Sequence, residues 1–149
     1  MIDRLFDFFE RLLDEEVPEE DSQGAIALAA ACLMMEVARS DSSKKDLEFA
    51  TIKTILQEQF SIDPASVEAL TASASEKVEE AHDLYQFTQL INEHYSYDEK
   101  ELLILAMWQV AYADGHIEAI EDHIIRRVAG LIHIAHADFI RLKISARGQ

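Results

Sequence analysis

Apolar residues recur at three- and four-residue intervals along most of the chain, the spacing of helices that bury one stripe. Between 2 and 14, Ile2, Leu5, Phe6, Phe9, Leu12 and Leu13 share such a stripe. Its polar face carries Asp3, Asp7, Glu10 and Asp14 against Arg4 and Arg11, which anionic lipid would repel. This helix is therefore expected to pack on its own domain or on a partner helix rather than lie on a membrane. "EEVPEEDSQG", residues 15–24, reads as an acidic connector. An Ala-rich helix follows from about Ser22 to Ser40, with small residues that suit close helix approach at the centre of a bundle.

After the polar "SDSSKKD", a helix runs to about Phe60. Asp63 ahead of Pro64 is a good N-cap with proline at the first helical position, opening a helix to about Ala81. "DLYQFTQLINEHY" predicts a short helix from Asp83, with Tyr85, Phe87 and Leu90 as a buried stripe. Ser96 and Glu99 have the spacing of a capping box ahead of the apolar "KELLILAMWQVAYA". An acidic loop comes next, then a helix expected to end at Gly130 as its C-cap, then a last helix from near His136. Every apolar run has helical spacing, so the class is all-α.

The helices repeat. Setting Asp41 on Asp114, an offset of 73 residues, superimposes "EVARSDSSKKDLEFATI" on "QVAYADGHIEAIEDHII". Val37 falls on Val110, Ala38 on Ala111, Leu47 on Ile120, Glu48 on Glu121 and Ile52 on Ile125. "SIDPASVEAL" resembles "HIAHADFIRL" once one residue is dropped between them. Two related helix–loop–helix units are expected, about 22–63 and 96–143, joined by linker helices over 64–95 in one domain. Each has an Asp at the end of one helix and a Glu seven residues on, opening the next.

Composition narrows the function. The chain has 149 residues, enough for one domain with a sizeable core, and its 4 Gly and 2 Pro leave room for long helices. A formal charge of −16 excludes nucleic acid as the main partner, because phosphate binding needs clustered Lys and Arg and the basic residues gather only in the short "RLKISARGQ". Such acidity suits divalent cations or a basic protein surface, or simply solubility. The acidic start lacks the apolar core of a secretory signal, and no run approaches the length of a spanning helix, so a cytoplasmic location is expected. Cys32, the one cysteine, excludes an internal disulfide and lies in an apolar run where a buried thiol is expected.

Candidate chemistry concentrates in "AYADGHIEAIEDH", residues 111–123. Asp114 at a helix end and Glu118 and Glu121 in the next first turn could converge on one hard cation, with Gly115 allowing a sharp turn and Asp122 four residues from Glu118. Calcium or magnesium is favoured over zinc. His116 and His123 are present, but strong Cys/His zinc spacings are not, and the alternating ligands of an EF-hand loop are missing. Against this stands a purely structural reading, in which Glu118 and Glu121 complement a helix N-terminus and Asp114 bonds the turn. The first loop offers Asp41 and Glu48, with Ser42 in place of the glycine and Lys44 and Lys45 placed to neutralise neighbouring carboxylates. His82, His94, His133 and His136 sit at expected helix boundaries, and Trp108 reads as core. No phosphate-binding glycine loop and no nucleophile with an identifiable base is present, so an enzyme is not expected.

Residues 83–143, above all "YADGHIEAIEDHIIRRVAGLIHIAHADFI", resemble the TerB-like group of tellurite-resistance proteins. The resemblance extends through the amphipathic start and the duplicated acidic loop. It implies a bundle of about seven helices with internal pseudo-symmetry and acidic clusters suspected of binding divalent cations. Carried over by position, the family's Asp-Gly and following Glu fall on Asp114, Gly115 and Glu121, with Asp41 and Glu48 as first-repeat counterparts. The expected function is a non-enzymatic, cytoplasmic TerB-like protein, in the setting of tellurite resistance or a wider stress response, with a cation-binding acidic loop. A metal-independent scaffold that presents its acidic surface to a protein partner is the alternative.

Overall fold

The computed structural model describes residues 19–40, 45–80, 83–115 and 117–148. The amphipathic segment 2–14, residues 15–18 of the acidic connector, Asp41, Ser42, Lys44, His82 and His116 lie outside them, and from Glu19 on the expected connector is already helix. Among the described residues there are seven helices and no strand: α1 Glu19–Ser40, α2 Lys45–Gln59, α3 Pro64–Glu80, α4 Tyr85–His94, α5 Tyr97–Ala111, α6 Ala119–Leu131 and α7 His136–Arg147.

The end signals in the sequence explain most boundaries. Asp63 caps α3, accepting the Ser66 N–H at 2.9 Å. Asp83 accepts the Tyr85 N–H at 2.8 Å, which sets the start of α4 two residues later than expected. Ser96 and Glu99 form the capping box of α5, Glu99 accepting the Ser96 N–H at 2.8 Å and Ser96 Oγ the Glu99 N–H at 3.2 Å.

Gly130 does not cap α6; it lies inside the last turn. The left-handed position belongs to His133, at φ 65. The Ile134 N–H reaches Ala129 O at 2.9 Å and the His133 N–H reaches Gly130 O at 3.2 Å, the bond pair of a Schellman motif. Buried Ile134 completes it with an apolar anchor, which accounts for the helix passing the glycine.

α1 is the central element. From Ala27 to Met35 every side chain is buried, and the helix packs against α2, α3, α4, α5 and α6, while α7 packs on α5. The alanines let these neighbours approach closely. Cys32 is buried here with its Sγ 3.9 Å from Ala74 O, and desolvation pushes the thiol far up, so it stays protonated. Trp108 is fully buried, 5.2 Å from the Phe139 ring and 6.4 Å from that of Tyr112. Phe87 and Leu90 are core as expected, but Tyr85 is exposed. Two residues before Phe87, it projects from the opposite side of α4. No helix among the described residues is long and apolar enough to cross a membrane.

The repeat is visible in the packing. α1 packs on α6 and, reciprocally, α5 packs on α2. Val37 and Val110, Ala38 and Ala111, and Ile52 and Ile125 are all buried, whereas Leu47 and Ile120 are 54% and 48% exposed. The two non-glycine residues with positive φ among the described residues, Ser61 and His133, fall on each other once the one-residue gap is allowed.

Candidate functional site

The second inter-helix loop begins where α5 closes at Ala111. Tyr112 caps the helix, its N–H bonding Trp108 O at 2.9 Å, and the Gly115 N–H returns to Tyr112 O at 2.8 Å. This turn requires φ +97 at Gly115, a conformation that glycine adopts without a steric penalty. Asp114 therefore stands at the apex between two helices, half-buried, with Oδ2 directed inward.

α6 starts from Glu118, whose extended backbone makes it the N-cap. Glu121 folds back to accept the Glu118 N–H at 2.9 Å, as the third residue of a capping box does. Its side chain is fully buried, and so is that of its repeat counterpart Glu48 in the first turn of α2. Glu118 is exposed at the rim. The structure thus brings Glu118 and Glu121 together as a cap and aims one oxygen each of Asp114 and Glu121 into the interior. Asp41, the expected first-loop partner of Glu48, lies outside the described residues.

Asp122 does not join Glu118. Its Oδ2 accepts from Lys143 Nζ at 2.7 Å and its Oδ1 from Arg126 at 3.2 Å. Partial burial alone would raise its pKa, but the hydrogen bonds and charges of Lys143 and Arg126 outweigh that and hold the carboxyl below its ordinary value. Lys143 also stands 5.1 Å from the centre of the Trp108 ring, and Arg126 4.9 Å from that of Phe139. One ammonium from α7 thereby clamps the start of α6 to the core tryptophan. A hollow of about 610 Å³ beside the loop is lined by Tyr112, Gly115, Glu118, Asp122, Lys143 and Arg147. His123 is exposed.

Sequence reasoning missed Lys143. It lies 21 residues from Asp122 in the short basic stretch at the chain's end, and only the packing of α7 on α5 brings it to the loop. It also missed the cross-link at the other end of α5. There the Tyr97 hydroxyl donates to Asp138 at 2.6 Å and accepts the Ala135 N–H at 3.0 Å, while Arg141 joins Asp138 to Glu101.

A hard cation would find two inward carboxylates at this loop. Among the described residues no group of three His, Cys, Asp or Glu side chains stands ready to hold a metal.

Helices wrapped around one Ala-rich core helix, with a duplicated helix–loop–helix unit and a buried glutamate in each, define an all-α bundle with paired acidic loops. The chain belongs to the TerB family: the family model described as tellurite resistance protein TerB matches residues 27–144. No curated protein and no solved structure matches the chain.

Proposed function

We propose that this TerB-family chain is a non-enzymatic, cytoplasmic helical protein whose second inter-helix loop binds a divalent cation, calcium or magnesium before zinc. Asp114 and Glu121 are the anionic ligands, and Glu118 is a rim carboxylate that assists. Asp41 and Glu48 form a weaker counterpart in the first loop. The family model's description, tellurite resistance protein TerB, supports tellurite resistance as the setting, and a wider stress response belongs to the same proposal.

The supporting observation is the burial of one carboxylate oxygen each of Asp114, in the turn after α5, and Glu121, in the first turn of α6, in a chain that carries a formal charge of −16. A divalent ion held by both carboxylates would tie the turn after α5 to the start of α6.

The test is thermal unfolding of metal-stripped protein against calcium, magnesium, manganese and zinc, with Asp114→Asn/Glu121→Gln alongside. Ligand at about a hundred times its dissociation constant stabilises by about 2.7 kcal/mol. For a chain of this size that raises the melting temperature by about 5–10 °C. The double variant loses the rise. No shift in the wild type up to about millimolar cation, the weak end of the calcium range, would sink the proposal.

A further inference from the structure

Among the described residues, one face of α2 is left uncovered. Leu47, Ala50, Thr51, Thr54 and Glu58 follow one another at the three- and four-residue spacing of a single helical stripe and line a groove of about 550 Å³. Its other wall is Gln109 of α5, Tyr112 and Ala113 just after that helix, and Ala146 of α7. The stripe extends about 16 Å, eleven steps of helical rise, which matches three turns of a second helix laid alongside.

The floor is suited to an apolar partner. The Thr51 hydroxyl donates to Leu47 O at 2.9 Å and that of Thr54 to Ala50 O at 3.1 Å. Neither hydroxyl proton has to be stripped of water when the groove is covered, so the desolvation cost is small. Ala50, Ala113 and Ala146 keep the floor low, and Leu47 stands 54% exposed at one end as an apolar anchor.

Charge decides what fits. Glu58 lines one end of the groove and Asp46 precedes Leu47 at the other, both exposed. The whole chain carries 29 acidic against 13 basic residues. We infer that this groove docks a cationic amphipathic helix of a partner protein, with apolar residues against Leu47 and the threonine methyls and lysines or arginines toward Asp46 and Glu58. The mode is helix-in-groove recognition, with electrostatics selecting the sign of the partner. It gives the scaffold alternative a definite surface and does not depend on cation binding at the second loop.

The experiment uses the full chain in chelator and a fluorescein-labelled peptide of leucine and lysine at helical spacing, about four turns long. Anisotropy should show saturable binding. Leu47→Lys should weaken it about tenfold by removing the anchor and adding like charge. Leu102→Lys makes the same charge change at a 55% exposed leucine outside the groove and should weaken it by no more than about twofold. Both substitutions are at exposed positions and should leave the melting temperature unchanged. Equal weakening by both would mean unspecific charge attraction and overturn the inference. So would equally tight binding of the leucine–glutamate counterpart peptide. Displacement of the cationic peptide by a weaker concentration of a peptide spanning residues 2–14 would assign the groove to the chain's own acidic segment instead.

Discussion

Replacing Lys143 with Met tests the clamp at the second loop while keeping the length and apolar stem of the side chain. The substitution removes a 2.7 Å ion pair with Asp122 and a cation placed 5.1 Å from the Trp108 ring centre. The paired side chains are 31% and 23% exposed, so water screens them less than a surface pair. An exposed pair contributes up to about 1 kcal/mol and a cation over an aromatic ring about 0.5–1 kcal/mol, which gives about 1.5 kcal/mol for the clamp. The melting temperature should fall by about 3–6 °C for a chain of this length.

The pH dependence has a definite sign. The native Asp122 carboxyl titrates below its ordinary value because Lys143 and Arg126 outweigh its desolvation. Its stabilisation is therefore complete above the unfolded carboxylate value of about 4 and is lost as pH falls through the lower native value. The gap between wild type and Lys143→Met should be full at neutral pH and narrow in acid below that range, leaving the contact of Lys143 with the Trp108 ring. The assay is unfolding followed by Trp108 fluorescence, with Asp122→Ala and the double variant completing a cycle. A coupling energy below about 0.3 kcal/mol, or a gap unchanged between neutral pH and pH about 3, would refute the clamp.

Gly115→Ala should destabilise by about 1–2 kcal/mol through backbone strain alone, since an L residue resists the left-handed turn and the added Cβ meets no atom within 4 Å; a change under about 0.3 kcal/mol would show that the turn relaxes freely. The Tyr97 hydroxyl, which donates to Asp138, should ionise above the ordinary tyrosine value in an ultraviolet titration, and Asp138→Asn should lower it again. An unchanged titration in that variant would remove Asp138 as the cause. At the acidic loop, Asp122→Asn should leave any cation-induced rise in melting temperature intact, because Lys143 already holds that carboxylate; loss of the rise would return Asp122 to the ligand set.

Most of the fold was legible because its signals are local. Capping at Asp63 and Ser96, the apolar spacing and the Ala-rich core helix each act within one or two turns of chain. The errors came where a longer-range bond overrode a local signal. Gly130 looked like a stop, but the buried anchor Ile134 and the left-handed His133 carried α6 past it. Asp122 had the four-residue spacing to join Glu118, but α7 returns 21 residues later with Lys143 and takes it. No pattern in one sequence reports which helix packs across which, so that partner was illegible.

The duplication was the one long-range feature the sequence did reveal, and it separates what the loops share from what only one of them has. Both units bury the glutamate of the first helical turn, expose the aliphatic residue before it, and place a left-handed, non-glycine residue after the second helix. These shared features belong to the frame, because each repeats at equivalent positions despite different loop sequences. Gly115 has no counterpart, since Ser42 stands at its place. The Lys143 clamp is likewise tied to the second loop, reached by α7 alone among the helices that pack on α5. On the proposed cation site Glu121 therefore has two separable roles: the capping bond to Glu118, and a ligand role that requires the sharp turn presenting Asp114. Glu48→Gln should for that reason perturb stability without changing cation response at the second loop, whereas Glu121→Gln should change both.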